Sequence, residues 1–155
     1  MAVISFTAVN LPYGWMGNMY AAPISYNGQL YRTSEALFQA LRFEDPQIRE
    51  EIRAQASPMA AKMKAKSYNE NMIIDPMSEE DITNMKLCLQ LKFDQHPNLK
   101  LKLISTRDHT IVEDIGKRNG EKHFFWGMKQ INGEWIGNNM MGKLLMQLRE
   151  RYQQI

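Results

Sequence analysis

Two dipeptides, Asp45-Pro46 and Ser57-Pro58, most constrain what this chain can fold into. In each, a side-chain oxygen stands where it can accept a bond from a first helical turn, and proline follows where no N–H is needed. Both predict helix starts: one helix runs past Ile48 and Ile52, the other through about Lys66. Ser78, three residues before Asp81, predicts the longest helix, whose positions Ile82, Met85, Leu89 and Phe93 keep helical spacing until Pro97. Thr33 or Ser34 caps a helix through Phe43 with Leu37, Phe38 and Leu41 on its apolar face. A short helix is expected from Pro97 towards Ile104, and a last one from about Asn139 to Tyr152 carrying Met141, Leu144, Leu145 and Leu148.

Strands are few. Val3 to Phe6, Ile111 to Ile115 and Phe124 to Trp126 read as strands, and Asn27-Gly28 and Asn132-Gly133 as hairpin turns. The expected fold is α+β and mainly helical: one compact domain over residues 1–155 with a small antiparallel sheet. The strand and helix order does not alternate as a dinucleotide-binding fold requires.

An apolar fraction of 44% against 23% charged residues is that of a folded globular chain and argues against disorder. A net charge of +2 is too small to recruit nucleic acid by itself. With one cysteine, Cys88, no intrachain disulfide can form, which fits a reducing compartment, and its apolar neighbours predict a core residue. His96, His109 and His123 lack metal-ligand spacing, so no metal and no cofactor are expected. The first 31 residues lack the basic start of a signal peptide, and no apolar run is long enough to cross a bilayer, so the cytoplasm is the expected compartment and no membrane partner is expected.

Four stretches carry groups suited to chemistry. Glu35, Gln39 and Arg42 fall along one line of the first helix, with Glu35 in the first turn, where the helix dipole favours its ionised form. The simplest reading is a solvated face; the sharper one makes Glu35 a general acid/base. Lys62 and Lys66, four apart, are either solubilising side chains or two ammonium groups facing a pocket. Phe124-Phe125-Trp126-Gly127 is either core with a tight turn or a stacking platform beside a backbone that a flat ligand can approach. Gly137-Asn138-Asn139 through Lys143 opens the last helix, where Asn is a cap or part of an anion site.

Gly14 to Met19, Ser34 to Phe43, Ser57-Pro58 through Lys66, Leu91-Lys92-Phe93 with Gln95-His96-Pro97, Glu113, Phe125-Trp126-Gly127, and Gly137-Asn138-Asn139 with Gly142 occur in an order that resembles the NADAR, or YbiA-like, family. The resemblance runs from about residue 13 to 150. It implies N-glycosidic hydrolysis, on phosphorylated ribosylamino-pyrimidine intermediates of riboflavin synthesis or on ADP-ribose attached to guanine. Nucleic acid becomes a partner only if that guanine lies in DNA. The resemblance assigns the acid/base to Glu35 and the amine to Lys62, and it maps Asn18, Trp126 and Asn139 onto substrate-binding positions.

The chain departs from the family pattern in three places: its Ser34-to-Phe43 and Ser57-to-Lys66 spellings resemble a divergent branch of the family, and two single positions differ. Ala65-Lys66 stands where Gly-Arg is common, keeping a charge for phosphate without the bidentate fork. His123 stands where an aspartate is common, leaving a side chain able to shuttle a proton. The alternative reading is a non-catalytic module that binds ADP-ribose or a nucleotide.

Overall fold

The computed structural model describes residues 2–154. From the N-terminus the elements are β1 (Val3–Phe6), a 3-10 turn (Gly14–Met16), β2 (Ile24–Tyr26), β3 (Gln29–Tyr31), α1 (Ser34–Ala40), α2 (Pro46–Arg53) and α3 (Pro58–Ser67). There follow a 3-10 turn (Asn69–Asn71), α4 (Glu79–Gln95), α5 (Pro97–Ser105), β4 (Thr110–Glu113), α6 (Glu121–Trp126), β5 (Lys129–Ile131), β6 (Glu134–Ile136) and α7 (Met140–Gln153). The mainly helical α+β class expected from the sequence is the one observed. The chain packs as two compact units: residues 18–96, and residues 1–17 with 97–155.

The unit of residues 18–96 is built on α1, which packs against α2, α3 and α4. Its helix starts are those the sequence encodes. Thr33 Oγ1 accepts from the Ala36 N–H at 3.1 Å, Asp45 Oδ1 from Gln47 at 2.8 Å, Ser57 Oγ from Ala60 at 3.0 Å and Ser78 Oγ from Asp81 at 3.2 Å. Between α1 and α4, Arg42 and Asp81 form a buried bidentate pair at 2.9 and 2.8 Å, with the guanidinium also over the Phe38 ring. β2 and β3 form an antiparallel hairpin about Asn27-Gly28, both at positive φ, as its turn requires.

In the other unit, β1 pairs with β4 in parallel, Ile4 opposite Ile111, and α7 packs on β4. This corrects the single antiparallel sheet: the antiparallel pairs are two separate hairpins, β2–β3 and β5–β6, and the third pair is parallel. Phe124 to Trp126 is likewise helix rather than strand, the end of α6. Gly120 at φ 103 turns the chain, its carbonyl accepts from the Phe124 N–H, and the aromatic run completes the helix that Glu121 and Lys122 begin.

Candidate active site

Within residues 18–96, the polar line of α1 is not a solvated face. Gln39 and Arg42 are 6% and 8% exposed, and Glu35 is half-buried. The Gln39 Nε2 donates to Glu35 Oε2 at 2.7 Å. Asn18, also buried, holds the start of the same helix: its backbone carbonyl accepts from the Glu35 N–H at 3.1 Å. The Ser34 hydroxyl lies 2.9 Å from Asn18 Oδ1, and Asn18 Nδ2 donates to Met85 Sδ at 3.0 Å. The amide expected to meet substrate is thus engaged inside the fold, on the loop that fixes Glu35.

The lysines of α3 are placed differently. Ala61 and Ala65 form the buried face of that helix, Lys62 is half-buried beside them, and Lys66 is exposed in the last turn. Helix α3 packs on α1, but neither lysine forms an ion pair with Glu35. The structure therefore brings Asn18 and Glu35 into one hydrogen-bonded cluster and leaves Lys62 and Lys66 outside it.

Sequence reasoning assigned no role to Lys92. It is fully buried on α4, with its Nζ 5.6 Å from the Tyr20 ring centroid and 5.4 Å from that of Phe93. Burial pulls its pKa from 10.5 to about 7. Met85, Cys88 and Lys92 follow at helical spacing, so a lysine on an otherwise apolar stripe was the signal available in the sequence. The same stripe meets α1: burial pushes the Cys88 thiol well up, and the charge of Glu35 adds to that shift. Cys88 is a core residue, as expected.

In the other unit, Asn139 does not cap α7 with its side chain. It adopts a left-handed conformation, φ 55 and ψ 41, and turns its amide onto β4. Oδ1 accepts from the Glu113 N–H at 3.1 Å, and Nδ2 donates to the Ile111 carbonyl at 2.9 Å. Trp126 is 9% exposed and edge-on to Phe125 with ring centroids 5.0 Å apart, so its face is not an open platform. The His123 carbonyl accepts from the Gly127 N–H at 2.9 Å, and the Gly127 carbonyl accepts from the Asn139 N–H at 3.2 Å. Backbone bonds therefore gather His123, Trp126 and Asn139 at the junction of α6 and α7. Among the described residues, no cluster of His, Cys, Asp or Glu suits a metal ion, and no helix is long and apolar enough to cross a membrane.

The model of the NADAR domain matches residues 5–153. The chain belongs to the NADAR family. It is 34% identical to the N-glycosidase YbiA of Escherichia coli strain K12 over 149 residues, covering 96% of this chain and 88% of that one. A riboflavin biosynthesis protein of Vibrio vulnificus is 27% identical over 143 residues, which cover 92% of this chain and 36% of the relative. The NMR structure of E. coli YbiA matches with a TM-score of 0.80 at 33% identity, over 98% of this chain and 85% of that one. The NADAR match runs through both compact units.

Proposed function

We propose that this protein hydrolyses the C1′–N bond of a phosphorylated ribose derivative. Its class is that of hydrolases acting on N-glycosyl compounds, the activity for which its relatives are named. The observation that carries the reading is the setting of Glu35: a half-buried carboxylate, tied through its backbone to Asn18 and through one oxygen to Gln39. A group held this way needs little reorganisation when charge develops in the transition state. Breaking the bond builds positive charge at C1′ and negative charge on the departing nitrogen, and Glu35 supplies the proton to that nitrogen.

The family resemblance favours two substrates, a phosphoribosylamino-pyrimidine and ADP-ribosyl-guanine, and the relative named for riboflavin biosynthesis supports the first. Lys66 is the phosphate ligand, Trp126 the wall against the base and His123 a proton shuttle. In a covalent route, the ribose ring opens and a neutral lysine amine adds to C1′. The base then leaves with a proton from Glu35, and water hydrolyses the resulting Schiff base to free the lysine. Lys62 is the amine that the resemblance assigns. Lys92 is a second candidate, favoured by one observation: its lowered pKa leaves a sizeable neutral fraction near pH 7.

The test offers the purified protein ADP-ribosylated guanosine and a phosphoribosylamino-pyrimidine side by side, with and without borohydride, and follows the freed base. Release from one of them is expected, falling at least about a hundredfold in Glu35→Gln. A reduced adduct on Lys62 or Lys92 identifies the amine, and full activity of Lys62→Ala removes that residue from the covalent route. Tight binding of either compound without base release would make the protein a binding module instead.

A further inference from the structure

Burying a side-chain amide costs free energy unless its polar atoms find partners, and an apolar residue fills a helix face without that cost. Position 39 nevertheless carries a buried glutamine, on the helix that α2, α3 and α4 pack against. Further along the same line, Arg42 is committed to Asp81 through two bonds. Gln39 instead reaches back one turn, and its Nε2 donates to Glu35 Oε2 at 2.7 Å.

That bond makes the two oxygens of Glu35 unequal. An amide N–H only donates, so Oε2 must offer it a lone pair. Oε1 has no hydrogen-bond partner among the described residues, and it is not sealed from solvent. Helix α4 lies behind the carboxylate, since the charge of Glu35 is among the causes that raise the buried Cys88 thiol. The backbone of Glu35 is fixed by the Asn18 carbonyl, but the side chain has several rotatable bonds beyond it. Gln39 grips its far end. Every group in this arrangement belongs to residues 18–96.

We infer that Gln39 is the positioning residue of the catalytic carboxylate, holding Glu35 Oε2 as an acceptor and leaving Oε1 to carry and deliver the proton. The inference rests on the N-glycosidase reading above, with Glu35 as its acid. As the C1′–N electron pair moves to the departing nitrogen, that nitrogen takes the Oε1 proton and the bond breaks. Water supplies the hydroxyl that ends on C1′ and returns a proton to Oε1, which restores the acid. A carboxyl group free to turn would present either oxygen in many directions, and a lost geometry of that kind is expensive in rate. Gln39 acts through Glu35 and needs no contact with substrate.

The experiment is a double-mutant cycle on kcat and KM of the full chain, with whichever of the two test compounds wild type turns over. Gln39→Met keeps the length of the side chain and removes the donor. It should lower kcat about tenfold with KM within about threefold. In a Glu35→Gln background the same change should cost less than about twofold, because the group it acts through is gone. A Gln39→Met enzyme within about twofold of wild type overturns the inference. So does a loss that persists undiminished in the Glu35→Gln background, the mark of a general structural effect. A raised KM at unchanged kcat overturns it as well, because Gln39 would then be a substrate ligand. Circular dichroism and unfolding midpoints establish that each variant is folded. If Gln39→Met is not, Gln39→Glu, of the same shape and without a donor once ionised, takes the same measurement. Failure of wild type to release base from either compound, or a fast Glu35→Gln, counts against the reading above. A slow Glu35→Gln beside a fast Gln39→Met counts against this inference alone.

Discussion

Helices α1 and α3 present their polar residues at the same four-residue spacing and treat them in opposite ways. On α1 Gln39 is buried, as is Arg42 just past the helix end, and Glu35 is anchored from both its backbone and its side chain. On α3, Lys66 reaches solvent and Lys62 is half out. Spacing alone tells the two helices apart in no way. The difference lies in what packs over them, because α1 has helices against it on several sides and its charged end meets Asp81 on α4. Polar groups that share a face are worth reading as machinery only where other elements enclose them.

Breaking the enclosed pair should give the largest effect. Arg42→Met leaves Asp81 buried without its cation, and loss of about 3–5 kcal/mol of unfolding free energy is expected by urea titration. A loss under about 1 kcal/mol would mean that the α1 environment resembles that of α3 after all.

The second effect depends on pH. Folded Lys92 titrates at about 7 and the unfolded lysine near 10.5, so between those values the unfolded chain holds a proton that the folded one has released. Stability therefore rises with pH through that window, by up to about 1.4 kcal/mol per pH unit, and is flat below it as far as this group is concerned. Urea midpoints at pH 7, 8 and 9 should climb in wild type and flatten in Lys92→Met. Parallel slopes in the two proteins would show that Lys92 is not the group responsible.

The smallest effect belongs to α3. Lys66→Ala should change stability by no more than about 0.5 kcal/mol, since no ion pair or buried contact is lost. Under the proposed phosphate role it should raise KM and leave kcat near its starting value. A change in kcat with no change in KM would remove Lys66 from phosphate binding.

What the sequence made legible was local. Asp45, Ser57 and Ser78 cap the helices they precede because a cap is settled within one turn, and Asn27-Gly28 and Asn132-Gly133 turn as their left-handed tolerance dictates. Phe124 to Trp126 was misread because three aromatics have strand composition, while the helix they end is decided by Gly120 and Glu121 before them. The parallel partner of β1 is β4, with Thr110 opposite Val3, far beyond the reach of any local window. On α1, the place of Glu35 in the first helical turn was legible from its position. The inward engagement of Asn18 and Asn139 was not, since each amide finds its partners on distant elements, Met85 and β4. Lys92 was hidden because lysine is ordinarily a surface residue, although its register with Met85 and Cys88 already pointed inward.

The lone thiol of this protein has a use of its own. Cys88 has no exposed surface and sits midway along α4, on the face that meets α1. A maleimide or disulfide reagent can reach it only when that helix lifts away, so the labelling rate is a clock for the opening of residues 18–96. Read with and without bound sugar phosphate, that clock would measure how strongly an occupied site stiffens the scaffold beneath it, with no probe added to the molecule.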